Sequence, residues 1–238
     1  MLIQAIYPNL NTTSFTPDFL TERAILSTRN SDVDAINSMA TEMIHSEYQM
    51  IYRAVDTIPE GEDNAGNFPT EYLNSVNISS LPPYLLALKV GQPIILLRNM
   101  NRKQGLCNGT RLIIRHLKDR LIGAEIMHGD RKGDLKWIPR IPLITNDDDG
   151  QSPVKFCRLQ LPVRPAFAMT INKAQGQTLS CVGLYLPEPV FGHGQLYVAL
   201  SRCSDPSRLK VLIKNGSIPN KQGTYTRNVV FKEILTQP

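Results

Sequence analysis

Phe167-Ala168-Met169-Thr170-Ile171-Asn172-Lys173-Ala174-Gln175-Gly176-Gln177-Thr178 is the stretch whose reading decides the fold. It is largely apolar as far as Ile171 and polar from Asn172 onward, and a second apolar run, Val182 to Leu186, follows it. A strand that empties into hydroxyl, amide and amine donors before the next strand begins is the rhythm of an α/β domain. Such domains hold ligands at the C-terminal edge of the sheet. Gly176 would let a backbone N–H approach a phosphate oxygen closely. The same string also suits a helix N-terminus that satisfies its own donors, and spacing leaves both readings open.

Toward the C-terminus, Gly194 opens a segment with Leu196, Ala199, Leu200 and Cys203 at the spacing of one helix face. Arg202 stands at its end, Ser204-Asp205-Pro206-Ser207 makes a turn, and Leu209 to Ile213 reads as a closing strand. An arginine at a rigid helix end can present a fixed guanidinium to a phosphate. It can equally complement the helix dipole. The polar tail after Asn215-Gly216 is expected to be loosely held.

Toward the N-terminus, Arg23 to Thr28 reads as a short buried strand and Asn30-Ser31-Asp32 as the cap of a helix. Val33, Ile36, Met39, Ala40 and Met43 carry that helix to about His45. Residues 1–20, with Pro8, Pro17 and a polar Asn11-Thr12-Thr13-Ser14 cluster, read as an irregular lead-in. Residues 56–80, with Pro59-Glu60-Gly61 near their start, read as loop. Ile94-Ile95-Leu96-Leu97 predicts a strand covered on both faces. After the hairpin signal Asn108-Gly109, the runs 110–117, 121–127, 135–138 and 155–161 are short, β-rich and separated by turns. They predict a small barrel or sandwich. Asp147-Asp148-Asp149-Gly150 reads as a solvated loop, since it lacks the spaced ligands of a calcium site.

The expected organisation is thus a lead-in at 1–20, the first part of an α/β domain at 21–107, a β insertion at 108–162, the second part at 163–214 and a tail at 215–238. Charge follows this division. Residues 98–140 hold 11 Lys or Arg against 4 Asp or Glu, and the rest of the chain 15 against 17. A basic segment on a slightly acidic body can track phosphates, although a solvated face of a small β domain has the same composition.

Several chemistries are absent from these residues. There is no GxxxxGK[ST] phosphate loop and no Asp-Glu pair to hold magnesium and water. Four histidines, His45, His116, His128 and His193, have no motif linking them to a nucleophile. Four cysteines, Cys107, Cys157, Cys181 and Cys203, form no CxxC pair, so no metal site is expected. No apolar run approaches the roughly 20 residues that cross a bilayer. The opening Met1 to Pro8 lacks the character of a secretory signal, so an intracellular location is expected.

Taken together, the strings resemble the Pif/Helitron family of superfamily-one DNA helicases. Ile25-Leu26-Ser27-Thr28-Arg29-Asn30 through Asn37 is similar to the family's motif IV region. Phe68 to Asn74, Leu81-Pro82-Pro83, Leu88 to Gly91, Pro93 to Asn99 and Gly105 to Leu112 follow in the family's order. Phe167 to Thr178 is similar to motif V, and His193-Gly194-Gln195-Leu196-Tyr197-Val198-Ala199-Leu200-Ser201-Arg202 to motif VI. The resemblance implies a RecA-like second motor domain, of the P-loop NTPase type but without the loop itself, interrupted by a small SH3-like β-barrel of the 2B type.

The resemblance also implies roles. Arg202 would be the arginine finger, and Gln175 and Gly176 would lie beside the nucleotide. Thr170, Asn172, Lys173 and Asn30 would lie along single-stranded DNA; many relatives have histidine where Asn172 stands. ATP and Mg2+ would bind mainly to a first motor domain that these residues lack, in the same longer chain or in trans. The implied activity is ATP-dependent 5′-to-3′ unwinding in replication, recombination, repair or telomere maintenance, in the nucleus or the mitochondrion, with this chain inactive alone. The other reading is a non-catalytic single-strand DNA-binding module or a degenerate helicase fragment.

Overall fold

The computed structural model describes residues 1–11, 15–46, 48–59, 68–78, 80–145 and 155–231. Residues 12–14 of the polar lead-in cluster, residues 60–67 and 79 of the stretch expected as loop at 56–80, and the Asp147 to Gly150 run lie outside them. The chain divides into two compact units, one made of residues 1–43 with 167 onward and the other of Ile44–Ala166.

The first unit begins with two short helices, α1 (Leu2–Ile6) and α2 (Pro17–Thr21). Thr16 caps α2 by accepting from the Phe19 N–H at 3.2 Å, and Pro17 occupies the first helical position. An irregular lead-in was expected here. Helix forms because Ile3, Ile6, Tyr7, Leu10 and Leu20 are all buried, and tertiary packing outweighs the weak propensity of a short segment. The Tyr7 hydroxyl donates to the Phe167 carbonyl at 2.7 Å, and the two rings meet edge-on at 5.5 Å.

Strand β1 (Arg23–Ser27) and helix α3 (Asn30–Met43) follow as the pattern predicts, with Val33, Ile36 and Ala40 buried on one face. The second unit then supplies β2 (Gln49–Arg53), β3 (Val55–Thr57), α4 (Thr70–Ser75), β4 (Leu85–Lys89) and β5 (Pro93–Leu96). It continues with β6 (Arg111–Lys118), β7 (Leu121–Ile126), β8 (Leu135–Pro139), β9 (Ile141–Ile144), β10 (Cys157–Gln160) and β11 (Val163–Pro165). The chain returns to the first unit through β12 (Ala168–Thr170), β13 (Cys181–Leu186), α5 (Gln195–Leu200) and β14 (Leu209–Ile213).

In the first unit β12-β1-β13-β14 form a four-stranded sheet whose pairings are all parallel. A parallel sheet needs crossovers and cover on its faces. Here α1 and α3 pack on it, and a core of Ala24, Leu26, Met169, Val182, Leu184 and Ala199 closes it. Gly183 makes room for α1: a Cβ there would lie 2.7 Å from Ile6 Cγ1.

The second unit is antiparallel throughout its assigned pairings, with sheets β11-β5-β6-β7-β8, β3-β10-β9 and β2-β4. This differs from the expected organisation, because residues 44–107 cluster with residues 108–162 and not with the α/β unit. The reason is in the core. Tyr52, Leu86, Leu88, Ile94 and Leu96 pack with Leu112, Ile114, Ile122, Ile126 and Ile138. Pro93 to Leu96 is buried on both faces as predicted, yet within an antiparallel sheet, so two-sided burial did not report strand direction.

Polar side chains join the sheets of this unit to its loops. Arg158 and Asp56 are both fully buried; Nε and Nη2 each donate to the carboxylate at 2.8 Å. The Arg158 guanidinium also donates to the carbonyls of Leu73, Val76 and Pro82 at 2.9, 3.2 and 3.1 Å. Buried Arg164 reaches the Ile78 and Leu81 carbonyls in the same way. Tyr52 donates its hydroxyl to the Lys118 carbonyl at 2.9 Å, and burial pushes that phenol up to about 12.

Candidate nucleotide and nucleic-acid edges

Strands β1 and β12 run in parallel register with Thr170 opposite Ser27, so both end at the same edge of the sheet. Thr170 is half-buried there; Asn172 and Lys173 follow it, exposed, in a 3-10 turn (Asn172–Ala174). Asn30, also exposed, opens α3 just beyond the end of β1. The fold thus gathers Asn30, Thr170, Asn172 and Lys173 at the C-terminal edge.

Asn37 holds this edge in place. Its Nδ2 donates to the Ala168 carbonyl at 3.1 Å, and its Oδ1 accepts from the Ala168 N–H at 2.8 Å. The side chain is buried and replaces a neighbouring strand on the outer side of β12, binding α3 to it. Sequence reading did not assign it this part. The available signal was an asparagine within the apolar stripe of an amphipathic helix, a position that demands a buried partner.

Residues 171–180 carry the chain from this edge to the opposite one. Gln175 and Gly176 are exposed on that crossing. Gly176 has φ +80° with open space where a Cβ would sit, so conformation and not crowding calls for glycine. Leu179 bridges Cys203 in parallel fashion, and its N–H donates to the Arg202 carbonyl at 2.9 Å, just before β13 starts. Arg202 therefore stands at the N-terminal edge, away from Thr170 and Asn30.

The Arg202 guanidinium is held by its own surroundings. Nε donates to the Val198 carbonyl at 3.0 Å, Nη1 to the Gln177 carbonyl at 2.9 Å and Nη2 to Ser201 Oγ at 2.9 Å. A guanidinium has five N–H donors, so two remain. The Gln177 contact fastens the end of α5 to the loop that carries Gln175 and Gly176.

The helix itself is shorter than predicted and its apolar face is incomplete. Ala199 is buried, but Leu200 is exposed, as are Phe191 and Tyr197, the last at 75%. Buried Gln195 shapes the approach to α5 by accepting from the N–H groups of Phe191 and Gly192 at 3.1 and 3.4 Å. Among the described tail residues, Val229 packs on the core and Phe231 stacks on His193 with centroids 4.9 Å apart. His193 Nδ1 also accepts from the Phe231 N–H at 3.0 Å. Past α5, Ser207 donates its hydroxyl and N–H to Asp205 Oδ1, and the hydroxyl bond above all lowers that carboxyl's pKa.

Among the described residues no group of three or more His, Cys, Asp or Glu could hold a metal ion. All four cysteines are free thiols, and burial pushes that of Cys181 up. No helix of the described residues is long and apolar enough to cross a membrane.

A parallel sheet with donors at both edges, in one chain with an antiparallel unit, is a RecA-like arrangement shared with solved structures. In a Bacteroides Pif1 helicase solved in complex with ADP-AlF3 and single-stranded DNA, the matching region has a TM-score of 0.63 at 22% identity. That match covers 98% of this chain and 48% of the other. The family described as DNA helicase Pif1, 2B domain, matches residues 71–117, inside the antiparallel unit. The Danio rerio ATP-dependent DNA helicase PIF1 is 30% identical over 197 residues, which are 79% of this chain and 27% of the relative. The Homo sapiens ATP-dependent DNA helicase PIF1 is 36% identical over 138 residues, 54% of this chain and 19% of the relative. The chain is similar to the C-terminal part of Pif1-type DNA helicases and spans about a fifth to a quarter of these curated relatives' length.

Proposed function

We propose that this chain is the C-terminal portion of an ATP-dependent helicase that unwinds DNA 5′ to 3′. It supplies the arginine finger and part of the single-stranded DNA track. The observation that carries the reading is the setting of Arg202. Its guanidinium is fixed by three contacts and retains two donors, so it can meet a γ-phosphate with little further loss of rotamer freedom. Gln175 and Gly176 stand on the loop that Arg202 grips through Gln177, and the same loop leads back to the Thr170, Asn172, Lys173 and Asn30 edge. A nucleotide at one edge is in this way coupled to a strand at the other.

Exposed Phe191, Tyr197 and Leu200 fit a protein partner, namely the first RecA-like motor domain, in the same longer chain or in trans. ATP and Mg2+ would bind chiefly on that domain, and the 238-residue chain alone would not hydrolyse ATP. The antiparallel unit is the 2B-type insertion with an SH3-like barrel, and the site of action is the nucleus, with the mitochondrion as the alternative. The missing phosphate loop favours a second reading, a single-strand DNA-binding module without turnover.

ATP hydrolysis by the purified chain, with and without single-stranded DNA, tests the choice. The expected result is no turnover alone and DNA-stimulated turnover once a matching first motor domain is added. Arg202→Ala should lower that turnover by roughly 10³- to 10⁵-fold. Turnover by the chain alone, or an Arg202→Ala variant as active as the parent, would overturn the finger assignment. Binding without turnover in the reconstituted system would favour the module.

A further inference from the structure

The second unit carries an aromatic and cationic surface that none of the chemistry above uses. His116, Gly123 and Trp137 are direct cross-strand neighbours on β6, β7 and β8. Gly123 has no side chain to separate them: a Cβ there would lie 3.1 Å from both His116 Cδ2 and Trp137 Cζ3. The two rings meet above it, nearly parallel at 21°, with centroids 5.7 Å apart. The Lys118 ammonium stands 5.1 Å from the centre of the Trp137 ring.

The surface is open and rigidly supported. Trp137 is 45% exposed and Leu135 beside it on β8 is exposed as well. On the opposite face of the same strands Ile122, Ala124 and Ile138 are wholly buried, so the rings rise from a packed sheet. Arg115 and Glu125 pair at 2.9 Å between β6 and β7, and Arg120 is exposed in the turn that joins them. This platform lies inside the segment with 11 basic against 4 acidic residues.

We propose that the His116, Trp137 and Lys118 face of the β6-β7-β8 sheet is a base-stacking site for single-stranded nucleic acid. The inference rests on the DNA-tracking reading and extends it to a unit in which no site residue was placed. A half-open indole gives a base a flat π-face to stack on, and stacking tolerates any sequence. Lys118, Arg120 and the surrounding positive field meet the flanking phosphates. An apolar protein partner would not require the cation beside the ring or the charge excess.

Trp137 is the single tryptophan of the chain, so its emission reports the site directly. A labelled 20-mer oligothymidylate would be titrated into the 238-residue chain while anisotropy and tryptophan emission are followed. Inorganic polyphosphate serves as the anion without bases. The expected result is quenching by oligothymidylate that tracks the anisotropy, with polyphosphate leaving the emission unchanged. Trp137→Ala should weaken anisotropy-detected binding roughly 5- to 150-fold, the effect of one stacked base. Trp137→Phe, which keeps an aromatic ring and guards against a folding defect, should bind close to the parent.

Oligothymidylate binding with unchanged emission and an unaffected Trp137→Ala variant would overturn the platform and leave the helicase reading intact. Equal quenching by polyphosphate would reduce the site to a charge effect and overturn it too. Absence of any oligonucleotide binding would remove both. An equal response to oligouridylate supports the platform for either sugar, and a response to oligothymidylate alone assigns it to DNA.

Discussion

Arg202 in the parallel unit and Arg158 in the antiparallel unit are both held by backbone carbonyls, but they differ in what is left over. Arg158 is fully buried and uses all its donors on Asp56 and the Leu73, Val76 and Pro82 carbonyls. Arg202 is partly exposed and uses three. The contrast extends to the neighbours of each. Around the parallel sheet Asn30, Asn172, Lys173, Gln175 and Gly176 are exposed at the strand ends, whereas Arg164, Gln160 and Asp56 are buried in the other unit. An arginine whose donors are all met inside the protein fastens loops. One with donors left at an edge can take a ligand. Burial and donor count, more than residue type, separate scaffold from site.

The largest effect should come from breaking the buried pair. Asp56→Ala leaves the Arg158 charge uncompensated and should lower stability by about 3–5 kcal/mol. Urea denaturation followed by Trp137 emission, which reports the antiparallel unit, measures it. Replacing both partners, Asp56→Leu with Arg158→Met, should recover much of the loss. A full loss in the double variant would mean that the carbonyl contacts, and not the ion pair, hold the loops.

A smaller effect is expected at Asn37, where leucine would leave the Ala168 N–H and C=O without their side-chain partner at a cost of about 1–3 kcal/mol in all. Circular dichroism should register the shift, with the Trp137 transition moving less. Equal movement of both probes would show that the two units unfold together, and the comparison would then be one of chemistry and not of independent stability.

The smallest effect belongs to Gly176→Ala. The site has room for a methyl group, so the only cost is the left-handed backbone, about 1–2 kcal/mol. Thermal melts should show a shift of that size. A much larger loss would mean that the crossing loop supports the sheet rather than carrying ligand groups.

The comparison also explains how much of the molecule could be read in advance. Strands at Arg23–Ser27, Cys181–Leu186 and Leu209–Ile213 and the helix Asn30–Met43 lie where apolar spacing put them, since each is a local pattern. The donors after β12 were legible as an edge group for the same reason. Residues 44–107 were not assigned to their unit, because an apolar run such as Ile94 to Leu97 shows that it is buried without showing by what. The lead-in was misread because Ile3 and Ile6 make too short a pattern for helix until packing adds to it.

By itself the sequence determined the alternation of apolar strand and polar turn, the motif strings and the family they resemble, the missing phosphate loop and the basic run at 98–140. Only the tertiary structure decided that Arg202 and Thr170 stand at opposite edges of one sheet, that Asn37 substitutes for a strand, and that His116, Gly123 and Trp137 form one row. The physical reason is range. Periodicity and propensity act over a few residues, whereas register, donor satisfaction and burial arise between segments that are distant along the chain and meet only when it folds.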